Sequence, residues 1–351
     1  MPAPRDDAEL GERLAARTLE LIDIPSESRD EGRLAAHVAG VLAAGGLEVR
    51  DLGDTCLLAR PPGARPPVLL AGHLDTVPAQ GNRPGRRDGE RVHGLGASDM
   101  KGALAVMLEL ALARAPYGCL FFGREELPAD QSALAPLLER APGEVAAELV
   151  LVMEPTDNAI HAGCLGNINA TWRFHGRSGH SARPWDADNA IHAAAAAIAD
   201  LARREPEPHS FDGLVFREVA SVTQIAGGIA NNVIPDYVEA HVNYRYATGR
   251  TPEQAEARLT ELCRGGDLEV EANAPSGPVA TANPHARRLA AVGGLDIAPK
   301  QAWTPVAELG AAGLDAINFG PGAPAQAHRR DESVEVAALV RCHRVLEAFA
   351  P

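Results

Sequence analysis

The sequence predicts an α/β fold: a mostly parallel sheet sandwiched by helices, interrupted by an inserted ferredoxin-like α+β lid. Three observations carry that prediction. Short apolar, β-branched or aromatic runs (Val68–Ala71, Cys119–Phe122, Leu149–Met153) alternate with helical patterns in the first part of the chain, as buried parallel strands and their crossover helices do. After Gly166 the runs change to apolar–polar alternation, in the order β-α-β-β-α-β. Past Pro278 helix and strand patterns resume up to Pro351.

The elements follow in order. Asp6 to about Ile24 reads as an amphipathic helix with Leu10, Leu14, Leu19 and Ile22 on one side, and Pro25-Ser26-Glu27-Ser28 breaks it. A second helix runs from about Asp30 to Ala44 and stops at Gly45-Gly46. Strand Val68–Ala71, helix Met100–Ala113, strand Cys119–Phe122, helix Ser132–Arg140 and strand Leu149–Met153 complete the first part. In the insert, Ile168–His175, Glu218–Ile225, Val238–Tyr246 and Leu268–Ala272 are strands. Asn189–Arg203 is an Ala-rich helix. Pro252–Cys263 is another, capped by Thr251 with Pro252 at its first position. Residues 1–165 and 276–351 therefore form one discontinuous domain and 166–275 the lid, with Ala274-Pro275-Ser276-Gly277-Pro278 as the returning linker.

Composition narrows the class. With 351 residues, 46% of them hydrophobic, the chain can bury a sizeable core. A net charge of −14 argues against nucleic acid and against anionic membrane surfaces. No run approaches the ~20 apolar residues of a membrane span, and Met1–Asp7 has no apolar stretch of signal-peptide type. Cys56, Cys119, Cys164, Cys263 and Cys342 are scattered, with no CxxC pair, which suggests reduced thiols and a cytoplasmic protein.

Five acidic and histidine segments sit where strands or loops should end: Gly72-His73-Leu74-Asp75, Gly96-Ala97-Ser98-Asp99-Met100-Lys101, Glu125-Glu126, Glu154-Pro155, and Ala327-His328-Arg329-Arg330-Asp331-Glu332. In an open α/β sheet, ligands bind beyond the carboxyl ends of the strands, so these side chains should converge on one edge. His73 and Asp75, two apart on an extended segment, leave on the same side. His73 can ligate a metal through one ring nitrogen, while the Asp75 carboxylate holds the other N–H. Imidazole with carboxylate suits Zn²⁺, and Co²⁺ or Mn²⁺ could substitute. In Glu125-Glu126 one acid binds metal and the other stays free to take a proton from water. Strand alternation would point the two in opposite directions. Two metals ~3.5–4 Å apart need a shared carboxylate, a part Asp99 can play. A cap on the helix that follows is its plainer alternative.

In order and spacing the five segments resemble those of the di-zinc aminoacylase/carboxypeptidase family of amidohydrolases. The resemblance runs from Leu21-Ile22-Asp23-Ile24-Pro25 to Asp331-Glu332, and within the family it is to the actinobacterial desuccinylase branch. It implies two zinc ions, with His73, Asp99 and Glu154 on one and Asp99, Glu126 and His328 on the other. Glu125 would be general base and acid, Asp75 the orienter of His73. In Arg177-Ser178-Gly179-His180-Ser181, His180 would reach the neighbouring subunit's site and stabilise the oxyanion. A homodimer through the lid follows. Asn232, Arg245, Thr304 and Gly322 would meet the substrate, Arg245 pairing with its carboxylate. The implied substrate is a small acyl amino acid, N-succinyl-LL-2,6-diaminopimelate first. Another N-acyl-amino-acid deacylase, a dipeptidase, or an inactive amino-acid-binding or assembly relative are the alternatives. Pro305 and Glu308 stand where that branch carries Asp and Arg, and Gly163-Cys164-Leu165-Gly166-Asn167 also differs from it in its polar residues.

Overall fold

The computed structural model describes residues 7–351. Met1–Asp6, including the expected start of the first helix and most of the segment read for a leader, lie outside the described residues. The chain divides into two compact units. The first comprises Met1–Gly163, Pro278–Ala298 and Thr304–Pro351; the second comprises Cys164–Gly277 and Pro299–Trp303.

The first unit is built on an eight-stranded sheet. Its spatial order is Glu48–Gly53, Cys56–Arg60, Gly118–Phe122, Val68–His73, Leu149–Val152, Ala316–Asn318, Ile160–Ala162, Ile297–Pro299. The four strands from Gly118–Phe122 to Ala316–Asn318 run parallel, and antiparallel strands flank them. Val68–His73 is buried at every position, as an apolar run covered on both faces must be. Helix Gly102–Leu112 and the turn before it pack so close that a Cβ on Gly72 would stand 2.7 Å from Met100 Cε and 2.9 Å from Leu104 Cδ2. The hairpin Glu48–Gly53/Cys56–Arg60 was not expected. It turns through Gly53, Asp54 and Thr55, all at positive φ, without the Asn-Gly or Asp-Gly signal of a two-residue turn. A small sheet joins Arg86–Asp88, Arg91–His93 and Ser333–Glu335; strands of three residues carry too little pattern to read.

The second unit has a five-stranded antiparallel sheet in the order Glu207–Phe211, Leu214–Gly227, Tyr237–Tyr246, Gly166–His175, Asp267–Ala274. Without the first strand this is the ferredoxin-like arrangement expected; Glu207–Phe211 is an added edge hairpin. Helices Ala190–Ala202 and Pro252–Leu262 bury one face, where Ile168, Ala170, Trp172, Phe174, Val242 and Tyr244 meet Ala194 and Leu259. Thr251 and Gln254 form a reciprocal capping box. The returning segment Pro299–Trp303, expected with the first unit, belongs to the second. Gln301 exchanges two hydrogen bonds with the Arg217 backbone, and Trp303 Nε1 donates to the Pro275 carbonyl. No helix among the described residues is long and apolar enough to cross a membrane.

Candidate metal centre

Three neighbouring parallel strands deliver most of the centre. Val68–His73 lies between Gly118–Phe122 and Leu149–Val152, so their carboxyl ends set His73 and Asp75 between the Glu125-Glu126 pair and Glu154. Asp99 comes from the irregular turn Ala97–Lys101, with φ −128° and ψ 91°. The helix beyond starts at Gly102 with Lys101 at its cap position, so Asp99 is not a helix cap. His328 sits at φ +62° in the loop before Ser333–Glu335.

The side chains close on one another. His73 Nε2 lies 3.1 Å from Asp99 Oδ1 and 3.8 Å from Glu154 Oε1. His328 Nε2 lies 3.0 Å from Glu126 Oε2 and 3.6 Å from Asp99 Oδ2. Asp99 thus offers one oxygen to each imidazole. Ligand atoms of His73, Asp99 and Glu126 fall within 4.8 Å of one another, as do those of His73, Glu125 and Glu154. Both acids of the Glu125-Glu126 pair therefore face the cluster, correcting the expectation that they diverge. The chain has left the strand by then. Arg124 takes φ +59°, and the turn replaces the two-residue alternation of a strand.

Asp75 holds that turn. Its carboxylate accepts the Glu125 amide at 3.0 Å, the Glu126 amide at 3.1 Å and the Ser28 hydroxyl at 2.7 Å. His73 Nδ1 is nearer the Asp75 carbonyl, at 3.0 Å, than its carboxylate, at 3.5 Å. Asp75 thus positions the ring with its backbone as well as its side chain. Burial works against charge on Asp75, but His73, Ser28 and the Glu126 amide outweigh it and hold the carboxyl below its usual range.

Glu332 had no role in the sequence reading beyond its place in the last motif. It is 2% exposed, and its carboxylate accepts the amides of Gly96 at 2.9 Å, Ser98 at 2.8 Å and Asp99 at 2.9 Å. It ties the Asp99 turn to the loop carrying His328. The adjacent Asp331-Glu332 acids were the only sequence signal. Gly322 is needed on the same side: a Cβ there would fall 2.2 Å from the Ser98 carbonyl oxygen.

The donor set fits divalent cations. Asp75, Asp99, Glu126 and Glu154 lie against the imidazoles of His73 and His328, and Glu125 joins His73 and Glu154 in the same cluster. Burial, then Glu154, Glu126 and Asp99, push Glu125 well above the usual carboxyl range. Burial and Asp99 push Glu126 up, against His328. Burial opposes charge on His73, yet Asp75 and Asp99 raise it, and Glu126 raises His328 to about 9. Lys101 turns away, its Nζ donating to the Ile24 carbonyl at 2.8 Å. Carboxylates crowded this closely with mixed N and O donors match a borderline divalent ion such as zinc.

The remaining predicted residues are spread over both units. In the first, Thr304 is 1% exposed at the start of helix Val306–Ala311. In the second, His180 pairs with Val233 in a short antiparallel bridge, and the Ser181 amide donates to the Asn232 carbonyl at 3.1 Å. His180 and Asn232 are exposed neighbours. The Ala182 amide donates to His180 Nδ1 at 3.0 Å. That makes Nδ1 an acceptor, so in the neutral ring Nε2 carries the hydrogen. Arg245 is partly buried, its Nε donating to Asn243 Oδ1 at 2.9 Å.

Comparison with known proteins agrees with this arrangement. Residues 163–271 match the M20 peptidase dimerisation domain. The chain is 37% identical over 340 residues to a putative succinyl-diaminopimelate desuccinylase of Mycobacterium tuberculosis, covering 95% of this chain and 96% of that one. It is 33% identical over 348 residues to succinyl-diaminopimelate desuccinylase of Corynebacterium glutamicum, covering 95% and 94%. An M20 family metallo-carboxypeptidase of Sulfolobus solfataricus shares the fold with a TM-score of 0.75 at 15% identity, over 96% of this chain and 98% of that one.

Proposed function

The chain belongs to the M20 metallopeptidase family and is a metal-dependent amidohydrolase, and from that premise we propose that it removes the succinyl group from N-succinyl-LL-2,6-diaminopimelate. The observation that carries this is the intact cluster of His73, Asp99, Glu125, Glu126, Glu154 and His328 in a chain whose full-length likeness is to desuccinylases.

We assign His73, Asp99 and Glu154 to one zinc ion and Asp99, Glu126 and His328 to a second, Asp99 being shared; cobalt or manganese could substitute. When bound, the pair would polarise the amide carbonyl and make water a better nucleophile. Glu125, its proton affinity raised by burial and by Glu154, accepts a proton from the attacking water at its carboxylate. It then passes that proton to the leaving amine nitrogen. Asp75 keeps Glu125 in place through its backbone amide. His180, presenting Nε2–H, donates to the carbonyl oxygen as negative charge develops there. Arg245 and Asn232 meet the substrate's carboxylate and its flanking polar atoms, and Gly322 keeps the loop beside Asp99 close.

The dimerisation domain supports a homodimer. Strand Leu214–Gly227 pairs on one side with Tyr237–Tyr246 through Val219–Gly227, while on its other side Glu207–Phe211 covers only Leu214–Glu218. The open edge carries Ile225, 57% exposed, close in sequence to Ile229, 87% exposed. We propose that this edge and helix Ala190–Ala202 join two copies, so that His180 serves the partner's site. Turnover of a panel of N-succinyl, N-acetyl and dipeptide substrates tests the assignment. Preference for a dipeptide or an N-acetyl amino acid would overturn the succinyl assignment.

A further inference from the structure

The loop between helices Asp7–Asp23 and Gly32–Ala44 has no part in the mechanism beyond Ser28, whose hydroxyl donates to Asp75. Three residues on, Glu31 is 2% exposed, a burial that carboxylates show only when their oxygens are taken. It stands at the N-cap of helix Gly32–Ala44, where a carboxylate ordinarily accepts its own helix's amides, but its side chain makes no such bond. Its Oε1 instead accepts the Arg29 amide at 2.8 Å and, from a distant part of the chain, the Arg124 amide at 3.1 Å.

Both donors are residues at positive φ, Arg29 at +78° and Arg124 at +59°. A side chain strains the backbone there, and the conformation persists only where neighbours fix it. Arg124 is fixed twice. Its amide goes to Glu31, and its guanidinium is bidentate on Asp54 while its Nε donates to the Gln131 carbonyl at 2.7 Å. Gln131 also accepts the Arg29 guanidinium through its side-chain oxygen. Asp54 comes from the hairpin turn through Gly53, Asp54 and Thr55, which gives that hairpin a use at the edge of the metal centre.

The residues that follow Arg124 give the turn its importance. The Glu125 and Glu126 amides go to Asp75, so three successive N–H groups meet two buried carboxylates. An extended Arg124 would send the next two side chains to opposite faces. The left-handed one brings both into the cluster. Gly123 leaves room for this: a Cβ there would fall 2.3 Å from Thr55 Oγ1 and 3.1 Å from Glu31 Oε1.

We infer that Glu31 is a positioning residue for Glu125: together with Asp54 it holds Arg124 in the left-handed conformation that aims the Glu125 carboxylate at the attacking water. This rests on the reading of Glu125 as general base above and adds what sets its place.

The test uses zinc-reconstituted enzyme, with bound zinc counted by mass spectrometry and kcat and KM taken at saturating zinc on the best substrate of the panel. Glu31→Met removes the shared acceptor. It should lower kcat about tenfold to hundredfold, the cost of a misplaced group, with KM and bound zinc little changed. Glu31→Gln keeps Oε1 and should restore the rate. In a Glu125→Gln background, Glu31→Met should cost no further rate, because the group it positions is gone. An equal loss in both backgrounds, a Glu31→Gln variant as slow as Glu31→Met, or an unimpaired Glu31→Met overturns the inference. Where Glu31→Met does not fold, Asp54→Ala at the exposed hairpin turn replaces it. A lower kcat that disappears in the Glu125→Gln background then supports the inference, and an unchanged kcat overturns it. Glu125→Gln alone reports on the earlier reading: at the wild-type rate, the general-base assignment itself fails, whatever Glu31 does.

Discussion

Glu332 accepts the backbone amide of Asp99 at 2.9 Å, from a position four residues beyond His328 on a different loop. The same carboxylate takes the Ser98 and Gly96 amides. It fixes the turn that aims Asp99 between the two imidazoles. Burial raises the Glu332 carboxyl to about 7 against the pull of those amides, so the three hydrogen bonds offset only part of the cost of burying it.

Glu332→Gln should therefore weaken metal binding more than it weakens folding. A glutamine can accept two of the three amides but presents N–H to the third, where two donors meet. Metal affinity should fall by the ~10–100-fold typical of groups that orient ligands. Activity should return at high zinc concentration. Titration calorimetry of the metal-free variant checks the first statement and a zinc-dependence curve the second; unchanged affinity would remove Glu332 from the centre.

The two glutamates of the turn should separate cleanly. Glu125→Gln should keep its metal and lose ~10²–10⁴ in rate, the range of a general acid–base group. Glu126→Gln should lose metal, because Glu126 is the acid in contact with His328 at 3.0 Å. Metal content by mass spectrometry beside kcat decides the matter, and exchanged phenotypes would reverse the assignment.

Glu308 predicts a pH-dependent stability. It packs beside Ser132 with Oε1 buried and without a hydrogen bond, and burial raises its carboxyl to about 7, partly offset by the Ser132 hydroxyl and the Ala135 amide. An acid raised in the folded state favours the protonated form, so the cost is absent below the unfolded value near 4.5. It grows as pH rises and is complete above about 7. Glu308→Gln should raise Tm at pH 8, by a stability on the order of 2 kcal/mol, and gain little at pH 5. A gain that is independent of pH would contradict this.

Subunit exchange tests whether His180 acts across the dimer. Glu125→Gln and His180→Ala subunits, each inactive alone, should regain part of the wild-type rate when mixed, since one site of the heterodimer has an intact Glu125 and a partner's His180. No recovery after exchange is verified by mass spectrometry would place His180 in its own chain's site or outside the reaction.

Much of this was legible in the sequence, for identifiable reasons. His73, Asp99, Glu154 and His328 stood out because apolar strands or glycine-rich loops precede them, and strand ends converge in an open parallel sheet. The insert was legible because alternation replaced continuous apolar runs at Gly166. What escaped depended on turns or on long-range hydrogen bonds. Arg124 at positive φ turns Glu125 and Glu126 to the same side, and nothing in Gly123-Arg124-Glu125 announces that. Glu332 matters through amides more than two hundred residues away in sequence. Pro299–Trp303 joins the second unit through Gln301 and Trp303, contacts that no local pattern encodes.

The most direct test is to strip the enzyme with a chelator and add zinc back while following hydrolysis of N-succinyl-LL-2,6-diaminopimelate and bound metal together. Activity should vanish in the metal-free protein and return with zinc, reaching its plateau as two ions bind per chain, with succinate and LL-diaminopimelate released in equal amounts. Full hydrolysis by protein shown to hold no metal would contradict the two-ion centre, and a reloaded enzyme that leaves the succinyl amide intact would contradict the substrate.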